Sequence, residues 1–189
     1  MRLNALSLEY FRNYLSARAE FHPGMNIICG DNAQGKTNLL EGISYLAGAR
    51  SHRARYDREL IMFGIQHGFL TGALECRGRD FNVEITLNAG QRRVLKRNGV
   101  KLQSAAELGE TLNTVLFCPE DLFLIRAGAV ERRRFLDDTI AQLRPKYAEA
   151  LERYQKIWKS KSFILNHQEE RPDLLATLDD FSHQLCQAG

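Results

Sequence analysis

The run Gly30-Asp31-Asn32-Ala33-Gln34-Gly35-Lys36-Thr37 fits the pattern G-x-x-x-x-G-K-[ST] residue for residue, a spacing suited to holding phosphate. In such a loop, backbone N–H groups converge on the anion, and the positive end of the following helix adds to their pull. Gly30 and Gly35 let the backbone approach without a Cβ in the way. Lys36 would reach the β- and γ-phosphates, and the Thr37 hydroxyl would ligate Mg²⁺. A second stretch, Thr114-Val115-Leu116-Phe117-Cys118-Pro119-Glu120-Asp121, sets apolar residues ahead of two acids, as in a strand whose carboxylates hold Mg²⁺ and orient water. Pro119 ends that strand before the acids, so the favoured reading is a buried strand delivering Glu120 and Asp121 into a loop near the nucleotide.

These residues need elements to hold them. Met25-Asn26-Ile27-Ile28-Cys29 reads as a short buried strand aimed at Gly30, and Thr37–Leu46 as a helix with Leu39, Leu40, Ile43 and Leu46 on one face. Ahead of it, residues 3–8 and 17–21 form an edge hairpin, with His22-Pro23-Gly24 as a turn. Alternating apolar and polar residues at Phe69–Cys76, Phe81–Leu87 and Arg93–Lys96, punctuated by Arg77-Gly78 and Asn98-Gly99, predict an antiparallel meander. Ser104 and Glu107 have the spacing of a capping box opening a short helix. From Ala129 the pattern is helical, with a break at Pro145. Tyr147, Leu151, Tyr154, Trp158, Lys161 and Leu165 then step as a heptad seam, which favours a helical arm. Asp173 onward starts a further short helix.

With 44% hydrophobic and 26% charged residues, a 189-residue chain can bury a real core. No run approaches the roughly 18 apolar residues of a membrane span, and the first residues open no signal peptide, so a cytoplasmic protein without a membrane partner is expected. Cys29, Cys76, Cys118 and Cys186 lack metal-ligand spacing and are expected to be free, buried thiols. The net charge of +3 is small but uneven. Arg50, His52, Arg53, Arg55 and Arg58 crowd one segment, Arg92, Arg93, Lys96, Arg97 and Lys101 a second, and Arg132, Arg133 and Arg134 a third. Each cluster alone reads equally well as a solvated face; three beside a phosphate loop favour a polyanionic partner.

Phe11-Arg12-Asn13-Tyr14, the phosphate loop, Arg50-Ser51-His52-Arg53, Pro119-Glu120-Asp121-Leu122 and Arg132-Arg133-Arg134-Phe135-Leu136-Asp137 occur in one order, and together they resemble the N-terminal half of the RecF family. The resemblance runs from residue 1 to about 165. It implies an α/β fold, an ABC-type ATPase head lobe: a P-loop lobe with an antiparallel meander over residues 1–128, then a long helical arm over 129–189 that starts a second lobe. It implies binding of ATP and Mg²⁺, weak ATP hydrolysis, and an ATP-dependent homodimer. Duplex or gapped DNA and other recombination-mediator proteins are the implied partners, in repair and recombinase loading. Carried over residue by residue, Gly30 to Thr37 serve the phosphates and Mg²⁺, Arg12 and Asn13 stand near the base side of the nucleotide, and Glu120 takes the place that senses the γ-phosphate. Arg50–Arg53 become an arginine loop facing DNA or the dimer partner. The basic-cluster residues Arg55, Arg93 and Arg97 join Arg50 and Arg53 as candidate DNA contacts. Ala33 stands where the family usually has glycine, tolerable if its φ stays negative. His52 replaces a frequent aromatic.

No signature loop and no convincing second acidic motif precede Gly189, so the chain is expected to be an N-terminal portion that binds nucleotide without turning it over. The competing readings are a P-loop kinase or GTPase-like enzyme on a small substrate, and a coiled-coil protein with a vestigial loop. The first predicts parallel βα units after the loop, and the second is opposed by intact Lys36 and Thr37.

Overall fold

Period-two burial builds the sheet. Along Gly68, Leu70, Gly72, Leu74 and Cys76 every second residue turns inward, and Val83, Ile85 and Leu87 do the same on the next strand. The computed structural model describes residues 1–119, 122, 128–167 and 177–188. The chain divides into two units, Met1–Leu122 and Phe123–Gly189.

In the first unit, β1 (Arg2–Phe11), β2 (Tyr14–Glu20), β3 (His67–Cys76), β4 (Arg79–Asn88), β5 (Val94–Arg97) and β6 (Val100–Lys101) form one antiparallel sheet in the order β2-β1-β3-β4-β5-β6. The expected edge hairpin and meander are both present. Arg77-Gly78 and Asn98-Gly99 close their hairpins with positive φ at both residues, 53° and 71° in one and 51° and 77° in the other, matching the right-handed twist of the strands they join. A connection of this kind is not the parallel βα succession that a P-loop kinase needs.

One helix, α1 (Lys36–Gly48), covers the inner face with Tyr45, Leu46 and Ala47 against Leu6, Leu8, Leu70, Leu74 and Ile85. Gly72 makes this approach possible: a Cβ there would lie 2.6 Å from Leu46 Cδ1. Each fully buried leucine in this layer contributes about 1.5–3 kcal/mol by leaving water. The capping box forms as expected, with Ser104 and Glu107 exchanging bonds, but it opens a 3₁₀ turn over Ala105–Glu110 and not an α-helix.

Two expected strands do not form. Neither Met25–Cys29 nor Thr114–Cys118 joins the sheet, and several of their apolar side chains face out: Met25 is 88% exposed, Ile27 80% and Val115 101%. Strand-forming residue types favour an extended backbone, but a strand also needs a ladder partner for its N–H and C=O groups. Leu40, expected on the buried face of α1, is outward at 41% exposure, and its place is taken by Glu41.

The second unit holds α2 (Ala129–Leu143), α3 (Pro145–Asn166) and α4 (Leu178–Ala188). Pro145 separates α2 from α3 as expected, since a proline at the start of a helix has no N–H to lose. Tyr147 donates to Asp137 Oδ1 at 2.6 Å and Lys161 Nζ to Ser182 Oγ at 2.8 Å, tying α3 to α2 and α4. The bond to Asp137 also raises the Tyr147 pKa above its ordinary value. The buried face of α3 is Ala148, Ile157 and Ile164, and Tyr154, Trp158 and Leu165 of the expected seam point outward. The face packed on α2 and α4 keeps Tyr147 and Lys161 of the expected seam but takes Ile157 and Ile164 in place of Trp158 and Leu165. Asp173, where the last helix was expected to start, lies outside the described residues, and α4 is described from Leu178. Among the described residues no disulfide joins the cysteines; Cys76 is buried as expected, but Cys29 and Cys186 are exposed.

Candidate nucleotide-binding site

The phosphate loop enters α1 through three residues of positive φ, Gly30 at 149°, Ala33 at 65° and Gly35 at 100°. Ala33 therefore does not keep the negative φ that would make it a harmless substitute for glycine, and its Cβ sits in the left-handed region at a cost of roughly 1–2 kcal/mol. Lys36 Nζ folds over the loop, donating to Gly30 O at 2.7 Å and Asp31 O at 2.8 Å. This anchors the ammonium at the mouth of the loop, and Thr37 stands exposed beside it in the first turn of the helix. The donor set fits a polyphosphate with its metal: a lysine point charge, a hydroxyl and the free N–H groups of a helix start. Gly30 to Thr37 would hold the phosphates, and Thr37 the Mg²⁺.

The β1–β2 turn clasps the loop from the side. Asn13 Nδ2 donates to Gln34 O at 3.4 Å and the Tyr14 hydroxyl to Gly35 O at 3.1 Å. Glycine at position 35 is favoured by its φ of 100°, and a Cβ there would lie 2.7 Å from Asn13 Nδ2 and displace the clasp. Asn38 Nδ2 donates to Asn13 Oδ1 at 2.8 Å, and Arg53 NH1 to Asn38 Oδ1 at 2.9 Å. A continuous polar path thus joins the loop to the arginine-rich segment.

Arg12 does not stand free beside the loop. Its guanidinium is bidentate on Glu41, Nε to Oε2 at 2.9 Å and NH2 to Oε1 at 2.8 Å, and NH1 donates to Glu59 O at 2.7 Å. The Glu41 side chain is 0% exposed; Ser51 Oγ donates to it and Arg53 lies 3.7 Å away. Burial pushes the Glu41 carboxyl up, but the bonds from Arg12 and Ser51 and the two arginine charges outweigh it and hold the pKa below the ordinary carboxylate value. Glu41 is the site residue that sequence reasoning missed. Its signal was weak, a lone acid four residues before Tyr45 on a helix whose other residues from Leu39 onward are apolar or small.

Of the candidate DNA contacts, Arg50, Arg53 and Arg55 lie on one exposed segment. Arg93 and Arg97 are committed elsewhere. Arg93 NH1 donates to Asp57 Oδ1 and Oδ2 at 3.1 and 3.0 Å and approaches the Tyr45 hydroxyl at 3.4 Å, and Arg97 NH1 donates to Glu110 Oε2 at 3.0 Å and Glu107 O at 3.2 Å. Burial, with the Asp57 carboxylate beside it, drives the Tyr45 pKa up, opposed by the Arg93 charge. Arg93 is itself partly desolvated, which opposes its charge, but Tyr45 and Asp57 win and raise its pKa. Glu120 and Asp121 lie outside the described residues. No helix among the described residues is long and apolar enough to cross a membrane.

The RecF/RecN/SMC N terminal domain model matches residues 2–188. A DNA replication and repair protein RecF from Heliobacterium modesticaldum is 36% identical over 186 residues, 98% of this chain and 50% of the relative. The chain spans about half the length of the curated relatives it matches. A solved structure of the recombination mediator protein RecF-ATP of the RecFOR pathway superposes with a TM-score of 0.88 at 32% identity, over 99% of this chain and 50% of the other. A structure described as showing ATP-driven dimerization and DNA stimulated activation of SMC ATPases has a TM-score of 0.58 at 19% identity, covering 72% of this chain and 98% of the other, a likeness of fold alone. The fold is that of an ABC/SMC-type ATPase head, and the resemblance to RecF read from the motifs holds.

Proposed function

The chain belongs to the RecF/RecN/SMC N-terminal domain family, and from that premise we propose that it binds ATP with Mg²⁺ at Gly30–Thr37 and uses the bound state to engage DNA in replication and repair. The observation that carries this reading is Lys36 Nζ held over the loop by Gly30 O and Asp31 O, beside the exposed Thr37 at the start of α1. ATP would set an equilibrium between monomer and head-to-head homodimer, the dimer being the form that holds duplex DNA near gaps and meets other recombination-mediator proteins in the cytoplasm. Arg50, Arg53 and Arg55 lie on the segment wired to the loop through Asn38 and Asn13, which supports them as the DNA-facing arginines. Glu120 remains the proposed γ-phosphate sensor. Hydrolysis in the whole protein would be weak, because stabilising charge on the far side of the γ-phosphate has to come from another surface; this chain alone would bind without turnover.

The test is calorimetry with MgATP. Lys36→Ala should weaken binding at least tenfold, about 1.4 kcal/mol or more, with the melting curve little changed because its two bonds to loop carbonyls are solvent-exposed. Equal affinity in the two proteins would end the assignment.

A further inference from the structure

Four arginines of the first unit already sit beside carboxylates. Arg12 and Arg53 lie on Glu41, Arg93 on Asp57 and Arg97 on Glu110. Arg55 and Arg58 differ: among the described residues neither guanidinium meets a carboxylate, and both lie over the same ring, Arg55 Cζ 5.4 Å and Arg58 Cζ 5.0 Å from the centroid of Tyr56. That ring is half exposed. The sequence Arg55-Tyr56-Asp57-Arg58-Glu59 has acids enough to cancel the pair, but the fold turns them to other work. Asp57 faces inward, accepting from the Tyr45 hydroxyl at 2.7 Å as well as from Arg93, and Glu59 Oε2 accepts the Arg55 backbone N–H at 3.1 Å. Leu60, fully buried, pins the 3₁₀ turn Asp57–Leu60 to the core.

We propose that Arg55, Tyr56 and Arg58 form a phosphate clamp for the backbone of duplex DNA, with Tyr56 as the positioning residue. This rests on the DNA-binding reading above and moves the contact away from Arg93 and Arg97, whose work is structural. Two guanidiniums gathered at one ring repel each other, and the negative π-system of that ring offsets the repulsion, so both cations are held near it before the anion arrives. A guanidinium on a ring keeps its N–H edge outward, where it can take a phosphate oxygen bidentately. Arg93 acts at one remove: by holding Asp57 inward it keeps an acid out of the clamp.

Anisotropy titrations of a short duplex with MgATP, repeated across salt concentration, test this. Arg58→Gln should weaken binding several-fold and lower the magnitude of the log–log salt slope by about 1, and the pair Arg55→Gln, Arg58→Gln by about 2. Tyr56→Leu keeps both charges, so affinity should fall two- to five-fold with the slope unchanged, a pattern that loss of a charge cannot produce. Arg97→Gln should leave affinity and slope as they were. MgATP affinity, measured on each variant, shows that the site is folded. Wild-type binding with unaltered affinity and slope in the double arginine variant would overturn the clamp and leave the nucleotide reading standing. Failure of the wild-type protein to bind duplex under any nucleotide condition would overturn the DNA reading itself, and the clamp with it.

Discussion

The sheet and two further segments of the same unit are built from the same strand-forming residue types and have opposite fates. In β3 and β4, alternation buries Leu70, Leu74, Val83, Ile85 and Leu87 beneath α1, and every ladder position has a partner. In Met25–Cys29 and Thr114–Cys118 the apolar residues run consecutively, and Ile27, Val115 and Phe117 stand in solvent. The difference is not propensity, since Ile, Val and Phe are good strand residues in both places. It is whether a second strand lies close in the chain. Antiparallel neighbours joined by Arg77-Gly78 or Asn98-Gly99 meet at once, whereas a strand feeding a phosphate loop needs neighbours brought from far along a chain.

The largest effect follows directly. Leu8→Ala, in the fully buried centre of β1, should cost about 3–4 kcal/mol in urea unfolding, whereas Ile27→Ala, at 80% exposure, should cost under about 0.5 kcal/mol. Similar losses in the two variants would mean that Met25–Cys29 is packed in solution, and the contrast would collapse.

A second contrast lies inside the site, where Glu41 is buried with partners and the phosphate loop is exposed. Glu41→Gln should cost about 2–4 kcal/mol, since it leaves Arg12 without its counter-charge and Ser51 with a poorer acceptor. Because the folded pKa lies below the ordinary value of 4.5, ionised Glu41 stabilises the fold fully above that value, and the gain is lost as pH falls through the folded pKa. The gap between wild type and Glu41→Gln should therefore be constant near neutrality and close in acid. Thermal melts from pH 7 down to pH 3 read this out, and a gap that widens in acid would mean the carboxyl is held protonated.

These contrasts mark what could be read from the sequence. Whatever depended on neighbours in the chain was legible: the edge hairpin, the meander, the capping box at Ser104, the break at Pro145 and the loop-to-helix step at Lys36. What depended on distant partners was not. In the C-terminal half of α3 two seam positions were read one residue off, because the neighbouring helices, not the heptad step, select Ile157 and Ile164 over Trp158 and Leu165. Arg93 and Arg97 looked like free basic residues, because nothing local to them announces Asp57 or Glu110 as partners. Glu41 was passed over for the same reason, its partner Arg12 lying 29 residues away across a hairpin turn.

The smallest effect tests whether the exposed loop, too, carries a structural cost. Ala33 holds φ at 65°, where its Cβ crowds the backbone, and nothing in the hydrogen bonding of the loop compensates it directly. Replacing it by glycine removes that strain but also loosens the unfolded chain, which takes back roughly half the gain. Ala33→Gly should therefore stabilise the protein by about 0.5–1 kcal/mol, and at the loop itself it should tighten MgATP binding slightly or leave it unchanged, because the phosphate-facing N–H groups already have their directions. Destabilisation in place of that small gain would mean that residue 33 keeps a negative φ in solution, and that the loop sits in a conformation alanine accepts at no cost.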